Sequence, residues 1–158
     1  MKKSSSTIDA SDRAILRLVQ RDNKMPQRRI GEAVNLSAAA VQRRIAAMEE
    51  SGVILRNVAI VDPEVVGLPI TSIVEVTLRD ERAATVDAAK ALFRDAPEVQ
   101  HCYYVTGGVS FVLLLSSPDM RSYEALTRRL FAENDLVARF RSLLALDRVK
   151  ADIALPLP

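Results

Sequence analysis

Residues 36–54 read LSAAAVQRRIAAMEESGVI, and the fold of the N-terminal half follows from them. Ser37 is a good helix N-cap, since its hydroxyl can accept from a backbone N–H left free in the first turn. Behind it Val41, Arg44, Ile45 and Met48 recur at i, i+3, i+4 and i+7, which predicts one buried stripe with Arg44 on its margin. Ala39, Gln42, Arg43 and Ala46 fall on the opposite, solvent-facing side. Gly52 is the expected terminator, because glycine tolerates the left-handed conformation that ends a helix.

Upstream, IDASDRAILRLVQRD carries Ile8, Ile15, Leu18 and Val19 at helical spacing, with Asp9 or Ser11 placed to cap it. DNKMP breaks that helix, and Pro26 suits the first turn of a second, QRRIGEAV, with Ile30, Ala33 and Val34 turned to one side. Asn35 tolerates the turn that follows. Three helices in some 45 residues, the last two joined by a short turn, predict a helix-turn-helix unit.

Downstream the period changes. VILRNVAIVDP is β-branched and partly alternating, and EVVGLP, with Gly67 and Pro69, punctuates a connection. ITSIVEVTLR (70–79) then reads as a strand and 81–96 as a helix with Val86, Ala89, Leu92 and Phe93 inward. VQHCYYVT and VSFVLLLSS read as strands joined across Gly107 and Gly108, a hairpin signal. Residues 119–134 read as a second helix, with Tyr123, Leu126, Leu130 and Phe131 inward, and ARFRSLLALDRVK as a last strand. The order strand, helix, strand, strand, helix, strand is that of a ferredoxin-like sandwich. The expected class is α+β, with a helix-turn-helix domain over 8–61 (motif about 27–46), a linker over 62–69, and a ferredoxin-like domain over 70–158. Helices cover only one face of such a sheet, so a second copy is the natural cover for the other.

Composition narrows the function. A chain of 158 residues with 49% hydrophobic and 27% charged residues is an ordinary globular one. Its longest apolar runs, such as FVLLL at 111–115, fall far short of the roughly 20 residues a membrane helix needs. The start MKKSSSTIDASD has no apolar stretch after its lysines, so a cytoplasmic, nucleoid-associated protein is expected. The single cysteine, Cys102, excludes an internal disulfide and reads as a small apolar strand residue. The single histidine, His101, leaves too few soft ligands for zinc, so no metal or cofactor is expected. No GxSxG, P-loop, GxGxxG or histidine pair occurs, and the chain is not expected to be an enzyme.

Net charge is only +2, but residues 1–68 hold 11 basic against 8 acidic groups, and residues 69–158 hold 11 against 12. The basic excess therefore lies with the helix-turn-helix. A helix entering the major groove by its N-terminus offers backbone N–H groups to phosphate and exposed side chains to base edges. Ala38, Ala39 and Ala40 permit close approach, and Arg43 can form a bidentate pair with guanine. Ser37, Gln42 and Arg44 are further expected contacts, Arg44 on phosphate. The partner so implied is double-stranded DNA.

The segments IDASDRAILRLVQRD, LSAAAVQRRIAAMEESGVI, AIVDPEVVGL and VTGGVSFVLLL, in this order and spacing, closely resemble the Lrp/AsnC (feast/famine) family of prokaryotic transcriptional regulators. The match runs from about Ile8 to Leu157, and its most specific parts are LSxxxVxxRIxxMExxGVI and DPxxxG. The resemblance implies a DNA-binding N-terminal domain and a RAM/ACT-like C-terminal domain that binds a small effector, usually an amino acid. It also implies assembly into dimers, tetramers or octamers. By position, the effector loop falls on Thr106 to Ser110, with Tyr104, Thr106, Gly107, Gly108 and Ser110 as the effector-binding candidates.

Two departures stand out. Where the family has TGxYD or TGDxD, this chain has TGGVS, so an acidic group suited to an ammonium is missing at Gly108 and Ser110. Losing such a charge-assisted hydrogen bond costs roughly 1.5 to 3 kcal/mol, which leaves a different effector, a weak one, or none. Gly31 stands where the family has alanine, at about 1 kcal/mol in helix propensity. Two other readings fit the bare pattern: an architectural, weakly specific DNA-bending protein, and a metabolite sensor whose helical domain no longer binds DNA.

Overall fold

A computed structural model describes residues 8–158, as two compact units. The first comprises residues up to Ala59 together with Lys150–Pro158, and the second is Ile60–Val149.

In the first unit, α1 (Ala10–Val19), α2 (Gln27–Val34) and α3 (Ala38–Glu50) enclose a core of Ile15, Leu16, Ile30, Val41 and Met48. Asp9, rather than Ser11, caps α1: its carboxylate accepts from the Asp12 N–H at 2.8 Å, and Asp12 returns the bond to the Asp9 N–H at 3.1 Å. Pro26 sits one position earlier than expected, as the N-cap of α2. Ala33 is exposed, and Gly31 takes its place on the buried side of α2. The turn into α3 places Asn35 at φ 56, and the Leu36 N–H donates to the Gly31 carbonyl at 2.9 Å. Ser37 then caps α3 by accepting from the Ala40 N–H at 3.2 Å, and Gly52, at φ 76, follows its last turn.

This turn explains Gly31. A Cβ there would press on the Leu36 carbonyl, which belongs to the backbone and cannot swing aside. Gly31→Ala is expected to lower stability by up to about 2 kcal/mol in urea denaturation, because the clash outweighs the propensity gain. A stabilised variant would show that the turn yields freely.

Residues 53–61 contain no strand, contrary to the β reading of VILRNVAIVDP. Leu55, Val58, Ile60 and Val61 are exposed there. Alternating β-branched residues favour an extended chain, but a strand forms only where another strand meets its ladder.

The second unit runs β1 (Ile70–Leu78), α4 (Ala83–Asp95), β2 (Val99–Tyr104), β3 (Phe111–Ser117), α5 (Met120–Thr127) and β4 (Val137–Leu144). The sheet is antiparallel in the order β2-β3-β1-β4, the expected ferredoxin-like arrangement. A π-helical turn, Arg128–Ala132, follows α5, so the second helix is shorter and less regular than its pattern suggested. The core lies between the helices and one sheet face, with Phe93 edge-on to Phe111 at 5.3 Å and packed on Phe131 at 5.9 Å. The register places Ile73, Leu114 and Leu143 side by side on the other face, where Ile73 and Leu143 are exposed.

The sequence reading carries the second domain to residue 158. The last residues instead pack on α1: Arg17 donates to the Pro158 carbonyl at 2.6 Å, Gln20 and Leu155 exchange two bonds, and Leu157 joins the first core. ADIALPLP has no period of its own, so only a partner surface defines its place.

Candidate functional sites

The N-terminal end of α3 is the first site. Ser37, Ala38, Ala39, Gln42 and Arg43 are exposed on one side of it, while Val41 and Met48 face the core. Ala40 is half-buried, and its N–H is taken by the Ser37 cap, which leaves fewer free donors at the helix end. Among the described residues Arg43 has no ion-pair partner, so its five donors are available to a ligand.

Arg44 is placed differently from expectation. Its Nη1 lies 2.8 Å from Asp9 Oδ2 and 2.8 Å from Asp12 Oδ1, tying the start of α1 to the middle of α3. The reason is the one that makes Arg44 marginal in the helix pattern: a side chain at the edge of the buried stripe reaches the neighbouring helix before it reaches solvent. The arginine read as a phosphate contact is thus held within the unit, and of the two neighbouring arginines Arg43 is the one without an ion-pair partner among the described residues.

Asp9 holds its carboxyl below the ordinary value of about 3.9, first through the Asp12 N–H and next through Arg44. A carboxyl whose pKa falls on folding stabilises above its unfolded value, and that contribution is lost as pH drops through the folded one. The α1–α3 tie is therefore expected to be complete at neutral pH and to fade below about pH 4. Asp9→Asn should flatten the acid limb of a thermal-stability profile, and an unchanged limb would show that the tie contributes nothing.

The second site is the β2–β3 hairpin. Thr106, Gly107 and Gly108 are exposed at its tip, with both glycines at positive φ (113 and 96), a conformation that an aspartate would adopt only under strain. Ser110 is not at the tip but buried immediately before β3. Its Oγ accepts from the Leu78 N–H at 3.0 Å and donates to Glu81, and its own N–H donates to the Val76 carbonyl at 2.8 Å. Glu81 receives a second hydroxyl as well, the Tyr104 OH at 2.9 Å. The hydrogen bond to Glu81 holds the Tyr104 phenol above its usual range.

Glu81 is the functional candidate that the sequence reading missed. It stands in the turn after β1, held by Asp80, whose Oδ1 accepts from the Arg82 N–H at 3.0 Å and the Thr85 hydroxyl at 2.7 Å. The only signal for it was the topology itself, since in a β1-α-β2-β3 sheet the end of β1 lies beside the β2–β3 hairpin. The acidic group absent from the hairpin is thus present from another loop, 29 residues earlier in the chain.

Cys102 lies in β2 as expected, but it is exposed rather than packed inside. Among the described residues no group of three or more His, Cys, Asp or Glu side chains is arranged to hold a metal ion, and no helix is long and apolar enough to cross a membrane.

Residues 8–54 match the pattern of a winged helix-turn-helix DNA-binding domain, and residues 71–155 match that of the Lrp/AsnC ligand binding domain. An uncharacterised helix-turn-helix-type transcriptional regulator of Sinorhizobium fredii is 42% identical over 150 residues, covering 95% of this chain and 89% of that protein. Among solved structures, an AsnC family transcriptional regulator from Agrobacterium tumefaciens superposes with a TM-score of 0.88 at 31% identity, over 95% of this chain and 97% of that one. A transcriptional regulator of Neisseria meningitidis, solved as a complex with L-Met, superposes with a TM-score of 0.86 at 27% identity, over 96% and 97% of the two chains.

Proposed function

The chain belongs to the Lrp/AsnC family of helix-turn-helix transcriptional regulators, and we propose that it reads a two-fold symmetric DNA site through the N-terminal half of α3. The observation that carries this is Arg43, exposed on the outer side of a capped helix and without an ion-pair partner among the described residues. Ser37 and Gln42 lie beside it as further contacts, and Ala39 and Ala40 let the helix approach the bases. Arg44 acts as a positioning residue in this reading, because its guanidinium holds α1 against α3.

Selection from random DNA tests the reading. The expected outcome is a sharp motif with half-sites about one helical turn apart. Affinity should fall with salt by about 0.9 in log K per log unit for each phosphate contacted. Pools that keep salt-sensitive binding but show no enriched motif would instead favour the architectural alternative, and no binding at all the sensor one.

The hairpin is the proposed effector site. Tyr104, Thr106, Gly107 and Gly108 would frame a small ligand, Ser110 would hold the strand beneath it, and Glu81 would supply the negative charge that an ammonium requires. The Neisseria relative is titled as an L-Met complex, so an amino acid is the first ligand to try.

A homodimer covering the open sheet face is proposed as the working unit, since Ile73, Leu114 and Leu143 form an apolar strip there. Leu143→Asp should shift the protein toward monomer in sedimentation, and an unchanged assembly would place the interface elsewhere. In this reading the protein works on DNA in the cytoplasm, carries out no catalysis, and needs no cofactor.

A further inference from the structure

A cleft of about 410 Å³ lies in the second unit between α4 and the edge strand β2, apart from the exposed hairpin tip. Its volume is within the range of small-molecule sites, roughly 300 to 1,000 Å³. Two kinds of surface meet in it. Val99 and the exposed Tyr104 ring provide apolar surface, backed by the buried Phe93 and Phe111, and Lys90 and Arg94, one turn apart on α4, provide cationic heads beside it. The Lys90 ammonium stands 5.0 Å from the centre of the Tyr104 ring. Asp87 lies 3.5 Å from the same ammonium, so Lys90 is partly neutralised. Among the described residues Arg94 has no ion-pair partner. Its charge is felt inside the cleft, where it draws the Cys102 thiol downward against the larger upward push of burial.

We propose that this cleft binds a small apolar monocarboxylate, with its carboxylate on Arg94 and Lys90 and its body against Tyr104 and Val99. A guanidinium forks onto a carboxylate through two parallel hydrogen bonds, which makes Arg94 the main anchor and Lys90 a supporting charge. The body buries apolar surface against the half-exposed Tyr104 ring at the sheet edge. The ligand needs no ammonium, which separates this site from the hairpin, where Glu81 asks for one.

Cys102 makes the site testable, because it lines the cleft and is the chain's only cysteine. The probe is 3-phenylpropanoate, with the uncharged 3-phenylpropanamide as its matched control. Alkylation of Cys102 by iodoacetamide, followed by mass spectrometry on the full chain, should slow at least severalfold with the acid and stay unchanged with the amide. Arg94→Gln should raise the half-protecting concentration at least about tenfold, because both charge-assisted bonds of the fork are lost, and Lys90→Gln should raise it less. Isothermal titration with the same two compounds reads binding independently of the thiol. Equal protection by acid and amide, full protection in Arg94→Gln, or no heat with the acid at millimolar concentration would each overturn the proposal. The two sites share Tyr104, so they are told apart by charge: Arg94→Gln should weaken the acid without changing the affinity for an amino acid at the hairpin, and Glu81→Gln the reverse.

Discussion

Arg43→Ala is expected to weaken binding to the best DNA site by about 1 to 3 kcal/mol, a factor of roughly 5 to 150, and to relax the preference at one base pair of each half-site. The expectation rests on geometry: Arg43 is exposed on the outer side of α3, while the neighbouring Arg44 is tied to Asp9 and Asp12. The two arginines should therefore separate cleanly. Arg43→Ala should leave thermal stability unchanged and reduce affinity, and Arg44→Ala should loosen the first unit and reduce affinity only through that loosening. Gel shifts and thermal melts on both variants read the difference. If Arg44→Ala abolished binding at full stability while Arg43→Ala bound normally, the assignment of the reading face would be reversed.

Glu81→Gln is the second large effect. Removing the charge while keeping the side chain's size should reduce amino-acid affinity by about 1.5 to 3 kcal/mol, or roughly 10- to 150-fold, because a charge-assisted hydrogen bond to an ammonium is lost. Glu81 is exposed and its glutamine replacement can still accept from a hydroxyl, so the hairpin should keep its shape. Titration of L-methionine into the wild-type protein and the variant measures the effect. DNA binding in the absence of amino acid should be the same for both. Equal methionine affinities would show that Glu81 only braces Tyr104 and Ser110, and that the ammonium sits elsewhere.

Gly108→Asp, which restores an acid of the family's kind to the hairpin, is not expected to repair the site. The backbone there is at φ 96, where a side chain is strained. Ser110 is equally closed to an acid, since it is buried and already donates to Glu81. A carboxylate at 110 would place two like charges against each other. The neutral TGGVS loop and Glu81 are joined through Ser110, so in the proposed site the negative charge comes from the neighbouring turn.

The sequence by itself determined each helix of the first unit, because caps and apolar periodicity are local. Ser37 and Gly52 mark ends through bonds to residues at most a few positions away, and Val41, Ile45 and Met48 mark a face; between Asp9 and Ser11 as the cap of α1 the structure chose. The sequence also determined the sheet domain, since strands alternating with helices in this order allow few arrangements. Only the tertiary structure decided where long side chains end. Arg44 spans 35 residues of sequence to reach Asp9, and Glu81 meets Ser110 across 29. Neither distance has a period, so no pattern along the chain could announce it. The tail at 150–158 and the unpaired stretch at 53–61 belong with these: an irregular segment is placed by the surface it meets, and a strand by the neighbour that completes its hydrogen bonds.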